Sequence, residues 1–273
     1  MEPTNSDKPL ALTEWSLEDR RSIKYVFADI DDTMTTEGKL EASTFAALWH
    51  LKEAGIGVVP VTGRPAGWCD AIVRQWPVEG VVGENGALSF WESSGRVERL
   101  YHPDATVAAT KGLTQIRDEV LQRVPDARVA GDQFARLFDL AIDFAEEEPK
   151  LSLEVAEMIK RVFVEHGATA KVSSIHVNGW FGSWDKQSMV RVFGEERLGL
   201  DWASLKDCSV YLGDSPNDEP LFESFDVSIG VANVVEFLSQ MKSPPLYLTR
   251  SPGGAGFTEA VSFLLDALEE TTE

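Results

Sequence analysis

The sequence is short of basic residues, of cysteine and of long apolar runs. It has 25 Lys and Arg against 45 Asp and Glu, a net charge of -20. A surface that acidic repels nucleic-acid phosphates and anionic membranes, so neither is an expected partner. It would also repel an anionic substrate, so a phosphate site has to be built from local Lys, Arg or metal. Only two cysteines occur, Cys69 and Cys208, and neither belongs to a CxxC pair. No zinc or thioredoxin-like site can be read from them. Cys208 opens an apolar strand and reads as a small core residue. No apolar run approaches the length of a membrane span. The first twenty residues are polar and carry no hydrophobic signal core. The expectation is a cytoplasmic protein with reduced thiols.

What is present is ordinary for a globular chain: 273 residues, 43% hydrophobic and 26% charged. That suffices for one large domain or two modest ones. Residues 1 to about 12 read as a loose tail. Tyr25 to Ala28 is a short apolar run, long enough for one buried strand. A helix follows from a plausible N-cap at Ser43 and closes at Gly55. Ile56 to Val61 is a second strand, and a helical stretch to Trp76 leads to a third, Gly80 to Gly83. Strand, helix, strand, helix, strand at this spacing predicts an α/β fold with a doubly wound parallel sheet. The texture then changes. Leu88 to Trp91 and Arg96 to Tyr101 read as a hairpin. A helix from about Asp104 to Arg123, a strand over Leu137 to Phe144, an amphipathic helix over Leu151 to His166 and two short strands follow. This is an α+β module, placed at 87–181 as an insert within a core of 1–86 and 182–273. The alternating pattern resumes with a helix from Asp185, a strand Cys208 to Leu212, short strands at Val227 to Ile229 and Leu246 to Leu248, and a last helix from Ala255 to Leu268.

The first strand ends in Asp29-Ile30-Asp31-Asp32-Thr33, three carboxylates within four residues. A buried strand gains nothing from such an end, and the acids repel one another unless a cation sits among them. A polar turn with an Asp or Thr capping the next helix would be the plainer reading. The other strand ends weigh against it. The second strand ends in Thr62-Gly63-Arg64-Pro65 and the third in Glu84-Asn85-Gly86. Lys186 opens a helix in Asp-Lys-Gln-Ser. Asp214, Asn217 and Asp218 stand in Gly-Asp-Ser-Pro-Asn-Asp. In an open parallel sheet these tips share one edge, where ligands bind.

The set DxDxT, Thr62, Lys186 and GDSPND, in this order and spacing, resembles the haloacid dehalogenase-like hydrolase superfamily. The position of the insert resembles its type IIB branch, which contains phosphosugar phosphatases. The resemblance covers essentially the chain after the tail. It implies a Rossmann-like core with a cap that chooses the leaving group. It implies Asp29 as the nucleophile that forms an aspartyl-phosphate, and Asp31 as general acid, then base. Mg²⁺ would be held by Asp29, the Asp31 carbonyl and Asp214, with Asp218, and Asn217 beside it, behind the metal's waters. Lys186, Thr62 and Gly63 would meet the phosphoryl group. The chemistry needs these types: a carboxylate attacking a phosphate dianion requires nearby positive charge, and the leaving oxygen requires an acid.

Other positions leave two readings open. Arg64 meets the substrate or braces its loop, and Asn85 meets the substrate or fixes a hinge. Asp32 stands where the family commonly has a small residue. His176, Asn178 and Trp180 lie where the cap returns to the core; an Asn and an aromatic would suit a sugar, while Trp180 and Trp184 could simply pack the hinge. Arg128, Arg136 and Asp143 are expected to be solvated. Ser251 to Gly256 lacks a P-loop's Lys-Ser/Thr ending and reads as a turn into the last helix. The expected enzyme is a Mg²⁺-dependent phosphatase acting on a small phosphorylated metabolite, foremost a sugar phosphate. A phosphosugar mutase similar to phosphomannomutase and a non-catalytic sugar-phosphate binding module are the alternatives.

Overall fold

The computed structural model describes residues 8–269. In chain order, the first elements are β1 (Leu10–Ala11), α1 (Leu17–Ser22), β2 (Tyr25–Ala28), α2 (Ala42–Glu53), β3 (Gly57–Pro60), α3 (Ala66–Gln75) and β4 (Val81–Gly83). Then come β5 (Leu88–Ser93), β6 (Arg96–Tyr101), α4 (Leu113–Arg123), β7 (Arg128–Val129), β8 (Leu140–Asp143), α5 (Leu153–Glu165), β9 (Thr169–Val172) and β10 (His176–Trp180). The chain ends with α6 (Lys186–Phe193), α7 (Trp202–Asp207), β11 (Ser209–Gly213), α8 (Glu219–Ser224), β12 (Val227–Gly230), β13 (Tyr247–Leu248) and α9 (Gly253–Glu269).

The larger sheet is parallel throughout, in the order β1-β13-β12-β11-β2-β3. β4 lies beside β3, and Val61, just beyond β3, forms a parallel bridge with Val82. Side chains alternate across the sheet, as a period of two demands. Val26 and Ala28 of β2, with Val210 and Leu212 of β11, pack toward α2 and α9; Phe27 and Tyr211 pack toward α6, α7 and α8. Helices therefore cover both faces, which is why these strands read as continuous apolar runs. The doubly wound α/β expectation holds.

The insert has its own sheet, antiparallel, in the order β7-β8-β10-β9. Ile116 and Val120 of α4, with Ile159, Val162 and Phe163 of α5, cover one face together with Ile142 and Val177. β10 shows how this sheet faces two ways. Val177 belongs to that apolar cluster and Gly179 lies under the Phe163 ring, while Trp180 belongs to the core of the larger sheet. Alternation then turns His176 and Asn178 toward the core as well.

Several expected boundaries need correction. Residues 1–7 of the expected tail lie outside the described residues, but Leu10 and Ala11 pair with β13, and Leu12 and Trp15 are buried. The β5–β6 hairpin, expected within the insert, has Leu88 and Phe90 in the core of the larger sheet, so the insert's separate cluster begins at α4. The helix expected from Asp104 starts at Leu113. Asp104 is instead engaged by the backbone and hydroxyl of Ser183, and Gly112 sits where a Cβ would come 2.6 Å from the Phe181 ring. α2 starts one residue before Ser43, after Glu41. Ser251 to Gly256 does lead into the last helix: Gly254 lies where a Cβ would stand 2.9 Å from the Met34 carbonyl oxygen.

A Cβ on Gly179 would fall 2.0 Å from Phe163 Cδ1, inside the ring. Gly179→Ala should therefore overpack the insert and destabilise it by about 1–3 kcal/mol, read as a lower Tm in thermal unfolding; an unchanged Tm would refute this packing.

Candidate active site

β2 and β11 are neighbours with Ala28 opposite Leu212, so the residues just beyond them, Asp29 and Asp214, stand side by side. A tight turn follows β2, in which the Ile30 carbonyl accepts from the backbone N–H groups of Thr33, Met34 and Thr35. It carries Thr33 to Asp214, whose Oδ1 accepts the Thr33 hydroxyl at 3.0 Å. Asp32 adopts a left-handed backbone, φ 58°. Glycine, and after it Asn and Asp, tolerate that region best, which suits an Asp at this position.

Lys186, at the start of α6, enters this group as its buried cation. Its Nζ lies 3.1 Å from Asp29 Oδ2 and 2.9 Å from Asp218 Oδ1, and donates to Asn217 Oδ1 at 3.3 Å. Asp218 is fully engaged: Oδ1 also accepts the Tyr211 hydroxyl at 2.5 Å, and Oδ2 accepts the backbone N–H groups of Asp214 and Ser215. Asp218 thus ties Lys186 to the loop that carries Asp214. Burial raises the pKa of Asp29 above the usual carboxylate range, and Asp218 and Asp31 add to this against Lys186. Burial, then Asp218 and Asp29, do the same to Asp214. Burial alone would lower the Lys186 ammonium, but Asp218 and Asp29 outweigh it and hold it well above its ordinary value.

Carboxylate oxygens of Asp29, Asp214 and Asp218 come within 4.8 Å of one another, all buried. Among the described residues no basic side chain pairs with Asp214. Buried like charges with one ammonium among them leave negative charge uncompensated. An all-oxygen donor set of this kind fits a small, hard divalent cation.

Of the expected phosphate- and substrate-binding residues, Gly63, Arg64, Asn85, Asn178 and Asn217 line the pocket beside Asp29 and Asp214, whereas Lys186 lines a neighbouring one and Thr62 lines neither. Thr62 is buried after β3, and its Oγ1 accepts the Arg64 N–H at 3.0 Å. A Cβ on Gly63 would come 3.2 Å from Asn85 Oδ1, so glycine keeps these two turns close. Asp31 is not free. Arg64 Nε and Nη2 grip its carboxylate at 2.7–3.1 Å. Arg64 also reaches Glu146 at 2.8 Å and Asp132 at 3.4 Å, and its guanidinium stacks on Trp68 at 4.5 Å. Every nitrogen of the guanidinium is taken, which favours the bracing role.

A family model described as haloacid dehalogenase-like hydrolase matches residues 26–116. A phosphoglycolate phosphatase of Methanobrevibacter smithii is 25% identical over 247 residues, covering 88% of this chain and 97% of its own. A solved protein of Thermoplasma acidophilum superposes with a TM-score of 0.68 at 16% identity, over 89% of this chain and 98% of its own. A solved sugar phosphatase of subclass IIB of the HAD superfamily gives a TM-score of 0.60 at 15% identity, over 88% and 98% of the two chains. Over residues 26–116 the chain is thus similar to the haloacid dehalogenase-like hydrolases that its motifs resemble. The enzyme class expected from the motifs, a phosphatase, agrees with this match and with the phosphatase-named relative, and the solved structures share the fold.

The insert forms a roof over the acids. The pocket is lined by Asp29, Asp31, Arg64 and Asp214 below and by Ser173 to His176 and Asn178 above. Its free volume is about 20 Å³, room for about one water. Two core turns hold this roof. Glu84 accepts backbone N–H groups of Leu137 and Phe138 from the insert and of Ala66 from α3, at 2.7–2.9 Å. Arg136 reaches down to the Gly63 carbonyl at 2.8 Å and pairs with Asp139 and Asp132. Asn178 and Asn85 both donate to Asp139, at 2.9 and 3.5 Å. Asn178 and Asn85 thus brace the hinge as well as line the pocket. Trp180 and Trp184 stack, with centroids 6.0 Å apart and both 1% exposed, so the packing alternative holds for them.

The expectation of solvated charges fails for Arg136 and Asp143, both buried; Asp143 pairs with Arg128 at 3.2 Å. Sequence reasoning also missed Thr33, Glu84, Asp132, Glu146 and Tyr211. Thr33 and Glu84 stand inside quoted motifs, so position could have flagged them. Glu146 opens the run Glu146-Glu147-Glu148, which looks like any solvated acidic loop.

His176 lies 2.8 Å from Glu146 and, with Arg64, holds its carboxyl down at about 2, below an ordinary 4.5. A depressed carboxylate contributes stability that is complete above its unfolded pKa and lost as pH falls through the folded one. Acid titration of thermal stability should therefore show a loss between about pH 4.5 and 2 that Glu146→Gln diminishes; parallel titration curves would contradict the pairing.

Proposed function

We propose that this phosphatase hydrolyses a small phosphorylated metabolite, of the sugar-phosphate class, with Mg²⁺ and through an aspartyl-phosphate. The observation that carries the reading is Asp29 at the end of β2, buried beside Asp214, with Lys186 Nζ 3.1 Å from its Oδ2. Mg²⁺ held by Asp29, Asp214 and the Asp31 carbonyl would offset charge between the nucleophile and the phosphoryl oxygens. Asp29 attacks phosphorus, and the ester oxygen leaves with a proton from Asp31, giving an alcohol and the phosphorylated Asp29. Water then attacks phosphorus, its proton passing to Asp31, and the Asp29 carboxylate and inorganic phosphate are released. Lys186 and the Thr62 hydroxyl take the phosphoryl oxygens, as preorganised donors aimed at charge that develops in the transition state.

The insert from α4 to β10 acts in this reading as the cap that sets the leaving group. The small pocket favours a small substrate, in keeping with relatives named phosphoglycolate phosphatase and sugar phosphatase. The cap has to open to admit it, since the closed pocket holds about one water. Two free cysteines agree with a reducing, cytoplasmic setting.

Phosphate release from a panel of sugar phosphates and phosphoglycolate, with Mg²⁺ and with EDTA, tests the reading. Release should require the metal and favour one substrate. Asp29→Asn should lower kcat by roughly 10⁴-fold or more while the fold, by circular dichroism, stays intact. Metal-independent release, or activity retained in Asp29→Asn, would sink it; bisphosphate-dependent turnover without phosphate release would indicate the mutase.

A further inference from the structure

A second hollow adjoins the pocket over the acids. It shares Asn85 and Asn217 with that pocket, and its wall includes Lys186 from the core and Lys171 and Trp180 from the insert. Its free volume is about 40 Å³, room for about two waters. The two hollows differ in what their walls can still bind. In the first, the roof groups are spent on one another. The His176 ring lies 2.8 Å from Glu146, the Asn178 amide donates to Asp139, and each guanidinium nitrogen of Arg64 meets a carboxylate. In the second, they are not. Lys171 stands on β9 opposite Asn178 of β10, so both leave the same face of the cap sheet. Lys171 is exposed, and among the described residues its ammonium and the Gln187 side chain beside it have no partner. Trp180 Nε1 is buried without an acceptor, and a buried donor left so is costly. Asp185, in the same wall, is committed elsewhere: it caps α6, its Oδ1 accepting the Ser188 N–H at 2.7 Å.

We propose that this second hollow is the leaving-group subsite and that Lys171 binds a carboxylate which the substrate carries into it. Lys186 joins the two hollows: its Nζ lies 3.1 Å from Asp29 Oδ2, and it also lines the second. A substrate whose phosphorus faces Asp29 has this hollow beside it for the rest of the molecule. The unengaged groups there set its chemistry. Lys171 and Trp180 offer donors alone, and one of them is charged, so they call for an acceptor with negative charge. Lys186 is already matched by Asp29 and Asp218, so a second cation serves a second anion. A second phosphate would need more room than two waters and would favour a forked guanidinium over an ammonium. A neutral sugar hydroxyl would leave the ammonium without a counter-charge. A carboxylate meets both demands. The substrate class narrows to a small phosphorylated hydroxy acid.

This deepens the phosphatase reading above and rests on it. The test compares phosphoglycolate and 3-phosphoglycerate, each beside its neutral carboxamide, as substrates with Mg²⁺ for the wild type, Lys171→Met and Lys171→Arg. Lys171 is exposed on β9, so Lys171→Met keeps the stem and removes the charge without disturbing the core. The wild type should prefer at least one acid over its amide by about tenfold or more in kcat/KM. Lys171→Met should abolish that preference, raising KM for the acid about tenfold and for the amide far less. Lys171→Arg, which keeps the charge, should recover part of it. Equal losses for acid and amide overturn the subsite, since a lysine that merely attracts phosphate or supports the fold acts on both alike. A wild type that does not distinguish acid from amide overturns it too. Release of phosphate from no ester by the wild type would defeat the phosphatase reading instead. Calorimetric binding of the same compounds to the wild type and Lys171→Met then decides the subsite: affinity lost for the acid alone supports it, and any other pattern overturns it.

Discussion

The ion pair between Lys186 and the buried carboxylates of Asp29 and Asp218 is the interaction on which the rest of the site depends. Burying several acids at one sheet edge is costly, and one ammonium at 2.9–3.1 Å offsets only part of it. The surrounding donors reduce the remainder. Asp218 is satisfied by Tyr211 and two backbone N–H groups, and Asp214 by Thr33. Removing one partner of such a buried pair typically costs about 3–5 kcal/mol. The charge that stays uncompensated between Asp29 and Asp214 is the physical basis for a divalent cation there. The fold supplies the geometry. β2 and β11 adjoin in the middle of a parallel sheet, so two acids far apart in sequence become neighbours without any strain in the strands that carry them.

That arrangement was legible in the sequence because each ingredient has a local signature. An apolar run ending in carboxylates marks a strand tip, and alternation of strand and helix puts the tips on one edge. Tyr25–Ala28 is found at the expected limits, and Lys186 does open its helix. The charge-neutralising role of Lys186 could be argued from the number of acids it had to face. The insert could be read from the change of texture there, although the hairpin β5–β6 turned out to share the core of the larger sheet. Nothing in a hairpin's own sequence says which neighbouring face its apolar side will cover.

What could not be read was the join between cap and core. Arg136 and Asp143 look like surface charges, since a charged residue beside a short strand gives no sign of its distant partner. Arg136 is buried only because Asp139, Asp132 and the Gly63 carbonyl are all brought to it by tertiary folding. Glu146 is hidden more completely, in an acidic run. Asn178 was read as a sugar ligand from its chemistry, yet its amide donates to Asp139. Side-chain amides serve a hinge as readily as a ligand, and residue type alone does not distinguish the two uses.

Most of the charged cap contacts fall on one short stretch, with a second set on the Glu84–Asn85 turn. Arg136 binds the Gly63 carbonyl, Glu146 and Asp132 bind Arg64, and Asn85 lies against Gly63. That stretch directly follows Thr62, whose hydroxyl accepts the Arg64 N–H. The insert is therefore tied directly both to residues 62–64 and to the turn at Glu84 and Asn85. By contrast Asp29, Asp214, Asp218 and Lys186 are held by core elements alone, from β2, the loop after β11 and α6. The two halves of the chemistry thus have different mechanical supports. Asp29, Asp214, Asp218 and Lys186 have their side-chain partners in the core, while Asp31 is tied through Arg64 to Glu146 and Asp132 of the insert. The insert supplies the pocket wall at Ser173 to His176, and the core supplies its floor. It cannot lose Glu146 or Asp132 without changing the charge that Asp31 shares.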